Sequence, residues 1–136
     1  MHQLVQELKI PNDLSLRDAV RVNGKESEIK SGDRLLYWCE ERGYRLRAVV
    51  EILDLSQASK HKFGAKLVAF LHQGQTDRHW LEDYMTVGAD NLYFPNRAIT
   101  DQDVHALCEA RIADLDLRRL SYQTTTNGFA FKYRRR

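Results

Sequence analysis

The segment from Tyr44 to Leu55 limits the possible folds of this chain more than any other. Tyr44, Leu46, Ala48, Val50 and Ile52 fall on one parity, and Arg45, Arg47, Val49, Glu51 and Leu53 on the other. A period of two, in a run rich in β-branched and aromatic residues, is the pattern of a strand with a buried face. Such a strand needs a partner, and the nearest candidate precedes it. Arg34 to Cys39 is apolar, is entered through the turn Ser31-Gly32-Asp33, and is left through Glu40-Glu41-Arg42-Gly43. That connection has hairpin length and a glycine for a left-handed position. The two runs are expected to pair antiparallel.

The rest of the chain adds short elements around this hairpin. Pro11-Asn12-Asp13 is a turn signal, and Ser15 with Asp18 forms a capping pattern for a short helix ending near Val20. Asn23-Gly24 suits a turn with positive φ. Ser56 to Gly64 is polar and reads as a loop, and Ala65 to Leu71 as the next strand. Asp77 to Tyr84 has the composition of one or two helical turns, and Asn91 to Pro95 is extended or looped. A helix starts at Thr100: threonine is a good N-cap, Asp101 and Asp103 suit the positive helix terminus, and Val104, Leu107, Cys108, Ile112 and Leu115 recur at helical spacing. Those five should be buried, with Asp103, Glu109 and Asp114 exposed. Ser121 to Thr126 and Phe129 to Arg134 flank Asn127-Gly128, a strong hairpin signal. The expected fold is α+β: one domain over residues 1–136, a small antiparallel β-barrel or curled sheet with one or two short helices and a C-terminal β-hairpin.

Composition agrees with a cytoplasmic globular protein. Of the 136 residues, 43% are hydrophobic and 29% charged, which excludes a disordered chain. Leu67 to Leu71 is far too short to span a bilayer, so no membrane role is expected. Cys39 and Cys108 read as buried thiols, since two cysteines make no disulfide framework. The histidines His2, His61, His72, His79 and His105 lack metal-ligand spacing, and neither a metal nor a cofactor is expected. The net charge of +2 conceals an uneven distribution: residues 72–116 are strongly acidic, whereas 117–136 carry no carboxylate at all.

One resemblance is carried by Gly24-Lys25-Glu26-Ser27-Glu28-Ile29-Lys30 followed by Ser31-Gly32-Asp33-Arg34-Leu35-Leu36-Tyr37-Trp38. This half of the chain resembles the opening of ASCH domains, members of the PUA-like group, with a glycine–lysine turn and a Gly-Asp leading into a hydrophobic strand. The resemblance implies a small β-barrel that binds RNA or modified bases, in which Trp38 and Trp80 would be candidate pocket walls. Some ASCH proteins hydrolyse acylated pyrimidine nucleosides, and Lys25, Ser27 and Glu28 offer the residue types used, though a surface turn is the favoured reading of them. Val20 to Lys25 with Ser31-Gly32-Asp33 also resembles the RNA-binding module of a ribosomal small-subunit protein and of pseudouridine synthases, and β-grasp domains of the TGS type.

Both resemblances imply RNA, and two basic clusters supply the chemistry. Arg42, Arg45 and Arg47 surround the first hairpin, where guanidinium groups could hold phosphates, or pair with Glu40, Glu41 and Glu51 on a solvated face. Phe129, Phe131 and Tyr133 interleave with Lys132 and lead into Arg134-Arg135-Arg136. Aromatics for stacking beside cations for phosphate is the logic of single-stranded nucleic-acid sites. Lys60-His61-Lys62 with Lys66 forms a further basic loop, read as solvated. The expected function is a nucleic-acid-binding module, for RNA more than DNA, through Arg42, Arg45, Arg47, Lys132, Tyr133, Arg134, Arg135 and Arg136. The alternative is a protein-interaction domain, such as a phage- or plasmid-type inhibitor or an accessory subunit, presenting the acidic 72–116 region to a protein partner.

Overall fold

The computed structural model describes residues 14–17, 19–41, 44–71 and 81–110, the side chains at 41, 44 and 45 excepted. Six strands form one antiparallel sheet: β1 (Val20–Arg21), β2 (Arg34–Glu41), β3 (Tyr44–Asp54), β4 (Lys62–Phe70), β5 (Tyr84–Gly88) and β6 (Leu92–Phe94). Their order across the sheet is β1-β6-β2-β3-β4-β5. The expected first hairpin is present, with Arg34 opposite Glu51 and Glu41 opposite Tyr44. The sheet is curled but not closed: among the described residues β1 and β5 are its two edges.

The curl follows from one short connection. Ala89–Asn91, a single 3-10 turn, joins β5 to β6, yet β4, β3 and β2 lie between them in the sheet. Four strand spacings in a flat sheet would separate them by about 19 Å. The chain from Gly88 to Leu92 reaches about 14 Å at most. Only a strongly coiled sheet lets so short a link cross.

The concave face is filled with side chains. Leu35 and Tyr37 from β2, Leu46, Ala48, Val50 and Ile52 from β3, and Phe63, Ala65, Leu67 and Phe70 from β4 meet Val87, Ala89 and Leu92 in one core. Val22 and Ile29, from the β1–β2 loop, cover it. Gly24 and Gly32, both at φ 95°, make the turns that fold this loop. The anticipated parity of β3 therefore holds, with its even-numbered apolar residues inward.

On the convex face a second core packs Leu36, Val49, Val68 and Ala69 under Leu14, Ile99 and Leu107. Leu107 belongs to α1, helical over residues 101–110. Thr100 caps it as expected: Thr100 Oγ1 accepts the Asp103 N–H at 3.1 Å, and Asp103 Oδ2 accepts the Thr100 N–H at 2.8 Å. No helix among the described residues is long and apolar enough to cross a membrane.

Three local expectations are corrected. Strand β4 begins at Lys62 rather than Ala65, after a 3-10 turn at Ala58–Lys60. Tyr84 starts strand β5 instead of ending a helical turn, because Tyr84 to Gly88 finds a full set of partners on β4. Val20 does not end a helix but pairs with Phe94 in the sheet. The C-terminal hairpin and Ile112, Asp114 and Leu115 lie outside the described residues.

Candidate nucleic-acid interface

Four side chains from adjacent strands stand in one row across the part of the convex face that α1 does not cover. Arg34 is opposite Glu51, Glu51 opposite Lys66, and Lys66 opposite Tyr84. Directly opposed residues share a face at roughly 5 Å spacing, so the row extends on the order of 15 Å.

Arg34 anchors one end. Its Nη1 donates to the Ile99 carbonyl at 3.1 Å, its Nη2 meets Asp101 Oδ1 at 2.6 Å, and its Nε lies 3.5 Å from Glu51 Oε1. The Asp101 bond raises the guanidinium pKa further, and the Glu51 carboxylate adds to the effect. Nearby, Arg97 grips Asp103 with Nη1 at 2.6 Å and Nη2 at 3.1 Å. That pairing, followed by the Thr100 N–H, holds the Asp103 carboxyl far below the usual range. Asp103 is thus half-buried and paired, not exposed as its helical position suggests. Arg34 and Arg97 line an open cleft of about 540 Å³, together with Asp33, Glu51, Phe94 and Ile99. This lies within the size range of small-ligand sites.

Tyr84 forms the other end of the row. It is 61% exposed, although its hydroxyl and ring edge lie directly over Gly64 on β4. A glycine diagonal to an aromatic in the neighbouring strand leaves room for the end of the ring to lie over the backbone while most of the side chain stays in water. Lys62 and Lys66 flank Gly64 on the same face, since each is two positions from it. Lys66 reaches Glu82 at 3.2 Å, and Lys62 is exposed.

Of the arginines expected around the first hairpin, Arg47 is placed opposite Trp38, its guanidinium carbon 5.4 Å from the ring centroid. It is half-buried, so it does not belong to a freely solvated face. Buried Leu36 and Val49 stand between this pair and the Arg34 row. Trp38 Nε1 is buried without a hydrogen-bond partner among the described residues. The backbone of Arg45 pairs with Glu40; the Arg45 side chain, Arg42, Trp80, Lys132, Tyr133, Arg134, Arg135 and Arg136 lie outside the described residues.

The loop at Lys60-His61-Lys62 is exposed, as expected, and is tied to its neighbours through His61. His61 adopts φ 61°, its carbonyl accepts the Ala89 N–H at 2.9 Å, and its Nδ1 meets Glu26 Oε2 at 2.6 Å. The Glu26 carboxyl is lowered first by its own backbone N–H and then by His61. Lys25, Ser27 and Glu28 sit exposed on the adjoining turn. In the acidic region, Asp101, Asp103 and Glu82 are paired with Arg34, Arg97 and Lys66, so these three carboxylates are used within the chain.

Sequence reasoning did not single out Tyr84, Arg34 or Arg97. The alternation Tyr84-Met85-Thr86-Val87 was a signal for a strand, and the Thr100–Asp103 cap could have drawn attention to a cation placed just before it. No family model matches the chain, and neither a curated protein nor a solved structure matches it.

Proposed function

We propose that this chain is a nucleic-acid-binding module, for RNA before DNA, on a PUA-like curled sheet that works without a cofactor. The observation that carries the reading is Tyr84: a ring laid over Gly64, 61% exposed, with Lys62 and Lys66 on either side of that glycine. A base stacks on the open face of the ring, and the lysines meet the flanking phosphates. Arg34 extends the cationic path along the row, with Glu51 and the Ile99 carbonyl fixing its orientation.

Stacking requires a base released from a duplex, so an unpaired strand or loop is the ligand. Fluorescence anisotropy with a labelled single-stranded RNA tests this. Binding should weaken steeply as salt rises. Tyr84→Ala should cost on the order of 1–3 kcal/mol, roughly ten- to a hundred-fold in Kd, with an unchanged salt slope. A folded protein that binds neither RNA nor DNA at low salt overturns the proposal. A protein partner for the 72–116 region then becomes the reading to test.

A further inference from the structure

Arg34 is held in an unequal way. Two of its contacts, the Ile99 carbonyl at 3.1 Å and Glu51 at 3.5 Å, come from half-buried or buried surroundings. The third and shortest, Asp101 at 2.6 Å, comes from a side chain that is 94% exposed, on the first residue of α1. The guanidinium is therefore held by a backbone carbonyl and by a mostly buried carboxylate, and its remaining edge is occupied by an exposed side chain. Asp101 and Arg34 meet beside the open cleft of about 540 Å³. The neighbouring Arg97 already satisfies Asp103 with both of its terminal nitrogens, so Asp103 does not compete for Arg34.

We propose that the cleft edge at Arg34 is the site for a phosphodiester of the bound strand, and that Asp101 occupies that site in the ligand-free protein as an internal competitor. This rests on the nucleic-acid reading of the Tyr84–Lys66–Glu51–Arg34 row. A phosphate oxygen takes the place of the Asp101 carboxylate on Arg34 Nη2, an exchange of one charge-assisted bond for another. Glu51 and the Ile99 carbonyl keep the guanidinium in place throughout. The displaced Asp101 remains at the start of α1, where the helix dipole favours its charge. Because an exposed ion pair is weak, the competitor lowers affinity without closing the site.

The test measures the affinity of a single-stranded RNA of about a dozen nucleotides for the full chain and its variants, across a salt series. Asp101→Asn and Asp101→Ser should each tighten binding about two- to five-fold, the factor that corresponds to one exposed ion pair. The salt slope should steepen by up to about one ion, as Arg34 takes up a phosphate fully. Glu109→Gln removes the same charge from an exposed position on α1 away from the cleft, and should leave affinity within error. Arg34→Lys in the Asp101→Asn background should abolish the gain, because an ammonium cannot hold Ile99 and present a second fixed donor.

Equal gains from Asp101→Asn and Glu109→Gln would mean net charge alone is at work and would overturn the proposal. Wild-type binding that Asp101→Asn leaves unchanged overturns it while sparing the nucleic-acid reading. Loss of the Asp101→Asn gain to inorganic phosphate at constant ionic strength overturns it in favour of a free-phosphate site. No binding by any variant overturns both readings.

Discussion

Replacing Gly64 with alanine separates the stability of the sheet from the geometry of the Tyr84 platform. A Cβ at this position would collide with the Tyr84 hydroxyl and would lie 2.9 Å from both the Tyr84 ring and Asp54 Cβ. The first conflict is with the far end of an exposed side chain, which can swing outward. The second is with a neighbouring strand and must be absorbed by backbone movement. Overpacking of this kind costs about 1–3 kcal/mol. The loss of glycine's freedom in the unfolded chain offsets about 0.4–1 kcal/mol, since no left-handed φ is needed here. A net destabilisation of about 1–2 kcal/mol is expected. In a Tyr84→Ala background only the Asp54 conflict remains, so Gly64→Ala should cost less there. Urea midpoints at constant m-value give both numbers, and the coupling between the two sites should exceed about 0.5 kcal/mol. Gly64→Ala should also weaken RNA binding by nearly as much as Tyr84→Ala, since both remove the ring from its seat. A stabilised Gly64→Ala protein, or additive costs in the cycle, would refute the argument that the ring rests on the glycine.

Four other outcomes follow from the same structure. Phe63, 1% exposed in the concave core, should cost about 3–5 kcal/mol when truncated to alanine, read from urea unfolding. The folded pKa of Asp103 lies below its unfolded value, so its contribution is complete above the unfolded pKa and is lost as pH falls through the acidic range toward the folded one. Asp103→Asn should accordingly flatten the loss of stability below about pH 4, and an unchanged acid limb would contradict the Arg97 pairing. The Cys108 thiol, raised by burial and bonded to the Val68 carbonyl at 3.5 Å, should react slowly with a thiol reagent in the native protein; rapid labelling would mean that α1 does not pack on β4. Lys62→Ala should reduce the magnitude of the salt slope of RNA binding by roughly one, with little change in the unfolding midpoint.

The parts of the fold that were legible in the sequence are those fixed by local periodicity. Tyr44 to Asp54 alternates, and Leu46, Ala48, Val50 and Ile52 do enter the core. Thr100 and Asp103 lie three apart, and they do form a reciprocal cap. Strand β5 carries a short alternation from Tyr84 to Val87, but five residues are too few to outweigh a helical reading without β4, which lies more than a dozen positions upstream. For β6 an extended segment is among the readings of Asn91 to Pro95, but its place between β1 and β2 is set by the curl of the sheet and not by its three residues.

The candidate site was less legible because it is a product of register. From Lys62 to Leu67 strand β4 alternates, polar or small outward and apolar inward. Then Val50 pairs with Leu67 while Val49 pairs with Ala69, which leaves Val68 as an extra residue. This bulge reverses the parity of the strand. Ala69 consequently lies under α1 on the convex face, while Phe70 turns into the concave core. The continuous apolar run Leu67 to Leu71 has no period from which such a switch could be read. Before the bulge, Lys66 faces outward and completes the line from Arg34 to Tyr84; beyond it, the same face is apolar and covered. The boundary between open and covered sheet thus falls at Val68. Filling that boundary with a larger side chain, as in Ala69→Leu, should lift α1 and speed the labelling of Cys108, whereas unchanged reactivity would place the helix elsewhere.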